Sequence, residues 1–276
     1  MKNSGKYLRS PLKWAGGKYR VLERISSALP TGERLVEPFL GSGVVFLNTD
    51  YPAYFLADLN ADLIGFFRDI SSGGKNFINY CASYFTPKSN NADFFYKLRG
   101  RFNELEPGPE RSAIFLYLNR HAFNGLVRYN ASGHFNTPFG RYKRPYFPHS
   151  ELEAVAGKCR RCDVLFEALD FKKTFAALQP GDVVYCDPPY LALSHTANFI
   201  GYTGSAFGQD EQLELAKAAE KARANGCPVA ISNHATSEAM QLYKNASIEH
   251  FKVSRPISCK KNGRGNVDEL IAVYGV

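Results

Sequence analysis

Val183-Val-Tyr-Cys186 is an unbroken apolar run, entered from Gly181-Asp182 and left through Asp187-Pro188-Pro189-Tyr190. A strand that is apolar on both faces must be covered on both, which is the condition of a parallel sheet with helices above and below. Other segments agree. Arg34-Leu-Val-Glu37 reads as a short strand, Pro38 to Gly43 as a glycine-bearing turn, and residues 44–48 as the opening of a helix. Tyr54-Phe-Leu-Ala57 is the next strand, closed by Asp58, so the three form a βαβ unit. Residues 17–29 carry apolar side chains at helical spacing and stop at Pro30. Residues 164–166 and 228–231 read as strands, 211–223 as a helix, and 248–253 with 269–274 as a closing antiparallel pair. The expected class is α/β, a doubly wound Rossmann-like sheet.

The middle of the chain breaks this alternation. Residues 60–70, 93–105 and 110–118 look helical, and residues 123–148 show no period at all. A loop of that length inside a compact domain is functional or disordered. Its seven aromatic rings, among them Tyr129, Phe135 and Tyr146, argue against disorder. The expected division is residues 1–60 and 156–276 as the sheet domain, with 61–155 as a helical and loop insertion.

Charge narrows the partner. The formal net charge of the 276 residues is +8. Arg128, Arg141, Lys143 and Arg144 sit in the aperiodic loop with no acid among them, and residues 252–266 are likewise basic and acid-free. Focused positive charge suits a polyanion, because each neutralised phosphate releases counterions. No window approaches the roughly 18 apolar residues of a membrane span, and the polar first ten residues lack a signal-peptide core. The expectation is a cytoplasmic protein with no membrane partner and no obligate protein partner. The six cysteines are too scattered for a disulfide framework. Cys159-Arg-Arg-Cys162 has ligand-like spacing but no second half, so reduced structural thiols and no metal are expected.

Chemistry concentrates just beyond the apolar strand, where open α/β sheets bind ligands. The prolines of Asp187-Pro188-Pro189-Tyr190 fix φ and remove two N–H donors, leaving a stiff turn of carbonyls. Asp187 can accept a hydrogen bond from an amine, and Tyr190 offers a stacking face worth about 1–3 kcal/mol per base. An adenine amine is a weak nucleophile, because its lone pair is delocalised into the ring. Accepting its two N–H bonds at Asp187 and the Pro188 carbonyl favours a tetrahedral nitrogen able to attack. Glu37-Pro-Phe39-Leu-Gly41-Ser-Gly43 follows the first strand, and Asp58 stands where an acid meets ribose hydroxyls. Phe46 at the third glycine position counts against the competing dinucleotide site. Lys13-Trp14-Ala-Gly-Gly-Lys18 lacks the first glycine and the Ser or Thr of a phosphate loop. It either packs over a cofactor or simply starts a helix.

In this order the three clusters resemble the Dam-type DNA adenine-N6 methyltransferases. The resemblance runs from Leu12-Lys-Trp-Ala-Gly-Gly-Lys18 to Val267-Asp-Glu-Leu270 and takes in Val36-Glu-Pro-Phe39, Phe115-Leu-Tyr-Leu-Asn-Arg120, Asn124-Gly-Leu-Val-Arg128, Pro138-Phe-Gly-Arg-Tyr142 and Ile231-Ser-Asn-His234. It implies a methyltransferase sheet with an inserted target-recognition domain, S-adenosyl-L-methionine as donor, and double-stranded DNA carrying GATC as partner. It further implies cofactor contacts at Trp14, Lys18, Asp58 and Asp187, beside Glu37, Phe39, Gly41 and Gly43. DNA contacts fall at Lys13, Phe123, Asn124, Leu126, Arg128, Pro138 and Tyr142. Arg128 either reads a guanine edge, worth about 1–3 kcal/mol of discrimination, or holds a phosphate. Leu126 and Tyr142 can wedge near an opened base pair. Phe123 stands where a tyrosine is expected, keeping stacking without the hydroxyl. His234 is expected to orient a loop. Methylation of cytosine N4, RNA or a protein amide is the near alternative, and a catalytically silent DNA-binding relative the distant one.

Overall fold

The computed structural model describes residues 7–190, 207–254 and 266–275. The second basic stretch and Cys259, Lys260 and Lys261 thus fall largely or wholly outside the described residues. Strand β1 (Arg34–Glu37) runs parallel to β2 (Ala53–Asp58) on one side and to β4 (Asp182–Cys186) on the other. Beyond β2 lies β3 (Asp163–Ala168), and beyond β4 lies β5 (Val229–His234), both parallel. The antiparallel pair β6 (Ser247–Ser254) and β7 (Asn266–Tyr274) completes the order β3-β2-β1-β4-β5-β7-β6. This is a doubly wound, Rossmann-like sheet. Its order reverses between β1 and β4, so their carboxyl ends border one crevice.

The apolar run behaves as its composition requires. Val183 and Tyr185 enter one buried cluster, while Val184 and Cys186 enter the other. Alternate side chains of a strand point to opposite faces, so both faces of β4 are packed. Helices α1 (Leu22–Ala28), α2 (Val44–Asn48) and α3 (Ala61–Ser83) supply the first cluster through Leu22, Phe46 and Phe67. The second face is covered by α7 (Phe171–Ala176), α8 (Gln209–Ala224) and α9 (Ser237–Leu242) through Phe171, Leu215 and Ala239.

Two readings differ from the expected boundaries. Residues 18–20 form a 3-10 turn before α1. Helix α3 continues to Ser83, bending at Gly74, because Phe77, Ile78 and Cys81 bury themselves past the glycine pair. Helix α4 (Ala92–Glu104) leads to α5 (Pro109–His121), whose residues 112–121 are all buried. Helix α6 (His149–Cys159) returns the chain to β3.

Between α5 and α6 the aperiodic loop is held by backbone pairs. Ala122 bridges Phe139 and Tyr129 bridges Phe135 in antiparallel fashion. The Phe123 amide donates to the Pro138 carbonyl at 2.8 Å. Tyr129 Oη donates to Asp62 at 2.6 Å, and Asp62 is also clamped by Arg111. Aromatic, hydrogen-bonded and anchored on α3 and α5, the loop is ordered as its composition requires.

Candidate functional site

At the end of β4, Asp187 Oδ1 lies 2.7 Å from Lys18 Nζ. Lys18 is buried, also donates to the Gly16 carbonyl at 2.8 Å, and sits 4.6 Å from the centre of the Tyr190 ring. The Tyr190 ring meets His234 edge-on at 4.6 Å. Burial pushes the Asp187 carboxyl above its ordinary value, and the Lys18 ammonium pulls it back. The ion pair keeps a partly buried carboxylate available as an acceptor.

Two further acids end the neighbouring strands. Glu37 is 2% exposed and its Oε1 has no hydrogen-bond partner. Burial pushes its carboxyl up to about 8; the Phe46 amide lowers it, and the charge on Asp187 raises it. Asp58 accepts from the Gly41 amide at 2.9 Å and the Asn60 amide at 3.0 Å, and burial raises it as well. Gly41 has φ +50°, and a Cβ there would lie 3.1 Å from Trp14 Nε1. Gly43 has φ +67°, and a Cβ would meet Phe67 at 2.9 Å. Only glycine allows this turn to press between the two rings. Phe39 stacks on Phe171 at 5.7 Å and meets Phe207 at 5.5 Å, so its ring is committed to the core below the turn. Glu37, Asp58 and Asp187 thus crowd three carboxyl groups at the ends of β1, β2 and β4, with Trp14 and Lys18 beside them.

The aperiodic loop gathers the other expected residues. Lys13 Nζ lies 3.8 Å from the centre of the Tyr142 ring, and burial together with Arg120 lowers its pKa. A Cβ at Gly125 would strike the Lys13 side chain at 2.4 Å, so the segment carrying Asn124 packs directly on Lys13. Asn124 itself holds φ +53°. Phe123 and Leu126 are exposed, as is Pro138. Arg128 is exposed and donates through Nε to Asn136 Oδ1 at 2.7 Å and through Nη2 to the Asn136 carbonyl at 3.3 Å. Exposed rings among cations with no acid make a surface for stacked bases and phosphates.

The family model for D12 class N6 adenine-specific DNA methyltransferase matches residues 14–257. The chain belongs to this family. It is 46% identical over 267 residues to the DNA adenine methylase of Vibrio cholerae serotype O1, covering 96% of each chain. It is 46% identical over 266 residues to the DNA adenine methylase of Salmonella typhi, covering 96% of this chain and 95% of that one. The figure for the DNA adenine methylase of Escherichia coli K12 is 44% over 266 residues, with the same coverage. The protein is therefore an enzyme, an N6 adenine-specific DNA methyltransferase, and its substrate is DNA. Among the described residues no group of His, Cys, Asp or Glu could hold a metal ion, and no helix is long and apolar enough to cross a membrane.

Some residues that shape this methyltransferase's site are not among its expected contacts. Asn119, wholly buried in α5, accepts from the Lys13 amide at 2.8 Å and donates to the Lys13 carbonyl at 2.7 Å and the Gly125 carbonyl at 3.1 Å. It ties the amino-terminal segment to the aperiodic loop. An amide inside the apolar run Phe115-Leu-Tyr-Leu-Asn119 was the available signal, since a buried polar group needs partners. Asn136, which engages Arg128, and Gln212, which reaches the Pro189 carbonyl, carry no such signal.

Proposed function

We propose that the enzyme moves the methyl group of S-adenosylmethionine to N6 of an adenine turned out of double-stranded DNA, within GATC. The observation that carries this reading is the span from Lys13 to Lys18. Lys13 lies against Tyr142 at 3.8 Å in the basic loop, and Lys18 lies 2.7 Å from Asp187 in the acceptor turn. One short segment joins base reading to base chemistry. The target amine is inaccessible inside a duplex, so the base must leave the stack. Exposed Phe123 and Leu126 offer apolar surface for filling the space it vacates.

The residues at the strand ends fit the donor. A cation answers the crowded carboxyl groups, and the Oε1 of Glu37 is a buried acceptor without a partner. Asp58 would hold ribose hydroxyls, and the Trp14 ring beside Gly41 and Gly43 would cover the nucleoside. Lys18 and Asp187 would border the pocket, and Phe39 would support the turn from the core side. When bound, the donor supplies a methyl group on a positively charged sulfur. The chain supplies acceptors: the Asp187 carboxylate, kept ionised by Lys18, and the Pro188 carbonyl take the two N–H bonds of the amine. Pro189 stiffens the turn, and Tyr190, braced by His234, stacks on the base. In this reading residues 61–155 recognise the target, and 1–60 with 156–276 bind the donor and carry out transfer.

Duplexes containing GATC or a scrambled site are incubated with tritiated donor and the protein. Label on adenine of GATC alone is expected, with Asp187→Ala binding DNA but transferring nothing. Equal labelling of both duplexes would refute the target sequence, and label on cytosine would refute the chemistry.

A further inference from the structure

The acceptor turn has few means of attachment, because Pro188 and Pro189 donate no backbone hydrogen bond. One of its carbonyls is nevertheless held. Gln212 in the first turn of α8 donates through Nε2 to the Pro189 carbonyl at 2.8 Å. The amide that does so is wholly buried, as are Asn233 and Tyr243 beside it.

The orientation of that amide is not free. The His234 amide donates to Asn233 Oδ1 at 2.8 Å, which turns Asn233 Nδ2 the other way. Asn233 Nδ2 donates to Gln212 Oε1 at 3.1 Å and to Tyr243 Oη at 3.0 Å. Tyr243 Oη then donates to Gln212 Oε1 at 2.9 Å. With Oε1 receiving two donors, Nε2 is left facing the Pro189 carbonyl, and a flipped glutamine would set donor against donor. The chain of bonds has a single allowed direction, running from β5 through Asn233 and Gln212 to the turn.

We propose that Gln212 is a positioning residue for methyl transfer, its amide fixing the Pro189–Tyr190 peptide plane under the direction of Asn233 and Tyr243. The role rests on the reading that the Asp187–Tyr190 turn accepts the adenine amine. Fixing that plane sets where the Tyr190 ring and the Pro188 carbonyl stand relative to Asp187. The expected consequence of losing it is a slower transfer step, with binding preserved.

Single-turnover transfer to adenine is measured at saturating donor and DNA for wild type, Gln212→Leu and Gln212→Glu, together with DNA affinity. Gln212→Leu is expected to slow transfer by on the order of 10²-fold, the scale of a small misplacement of a reacting group, while DNA affinity holds. Gln212→Glu supplies the discriminating readout. Its acid form can donate to the Pro189 carbonyl and its carboxylate form cannot, so its rate relative to wild type rises as pH falls. The titratable and charged groups facing the turn are Lys18, Glu37, Asp187 and Glu269, with Tyr185, Cys186, Tyr190, Tyr243 and His234 also nearby. All are common to both proteins, so the ratio isolates residue 212. Wild-type transfer rates in Gln212→Leu, or a Gln212→Glu profile parallel to wild type, would overturn the proposal. If Gln212→Leu does not fold, the Gln212→Glu profile decides alone. An Asp187→Ala protein that still labels adenine at the wild-type rate would overturn the underlying reading, and this role with it.

Discussion

Glu37 shows how one buried atom exposes a linkage. Its ordinary carboxyl value is 4.5, and burial lifts it to about 8 in the folded chain. Between those values the unfolded chain has lost a proton that the folded chain retains, so stability falls as pH rises through the window. The slope is at most about 1.4 kcal/mol per pH unit. Glu37→Gln keeps the shape and removes the titration. Denaturant melts at pH values inside and below the window are expected to show a variant that gains on wild type as pH rises; identical slopes would refute the assignment. Arg128 poses a different question at the same scale. Its guanidinium is pre-set by Asn136 at 2.7 Å and exposed beyond it. Arg128→Ala is expected to cost about 1–3 kcal/mol on the cognate site and relax discrimination at one base pair. Equal weakening on every sequence, measured by competition binding, would make it a phosphate contact.

At the scale of elements, α5 is the post on which two functional segments are hung. Its buried face carries Asn119, whose amide engages Lys13 and Gly125 from two separate parts of the chain. Truncation strands the Lys13 amide and two carbonyls inside the protein. Asn119→Ala is expected to lower stability by about 1–3 kcal/mol and to weaken DNA binding more than donor binding. Thermal melts and the two binding isotherms check both parts, and loss of donor binding alone would show that the tie serves the wrong site. The aperiodic loop depends on the same post, because its backbone bridges close on Ala122 and Phe139 just beyond the helix. Its lack of period is the mark of a segment that follows a surface and not a repeat.

Across the whole molecule, the charge distribution determines how DNA is approached. Arg141, Lys143 and Arg144 are exposed on the same loop as Arg128. Affinity for DNA is expected to fall steeply with salt, and Arg141→Ala to reduce the slope of log affinity against log salt by about 1, whatever the sequence of the duplex. An unchanged slope in fluorescence titrations would remove Arg141 from the backbone contacts.

Much of this was legible in the residues. The double-sided apolar strand, the glycine turn after β1 and the acid after β2 are local patterns. Their physical cause, burial on both faces or close approach of backbone, operates within a few residues, so composition alone predicts the α/β sheet and puts Asp187 at a strand end. The six-residue helices α7 and α9 were not legible, since a helix of under two turns has little room for a period and is stabilised by what it packs against, and α6 was not read either. The site's supports were not legible either. That Lys18 answers Asp187, that Asn119 joins Lys13 to the aperiodic loop, and that Asn233 and Tyr243 turn Gln212 toward Pro189 are contacts between residues distant in the chain. Sequence determined which chemistry the chain carries. Only the tertiary structure decided which groups hold that chemistry in place, because a hydrogen bond depends on distance and direction in space.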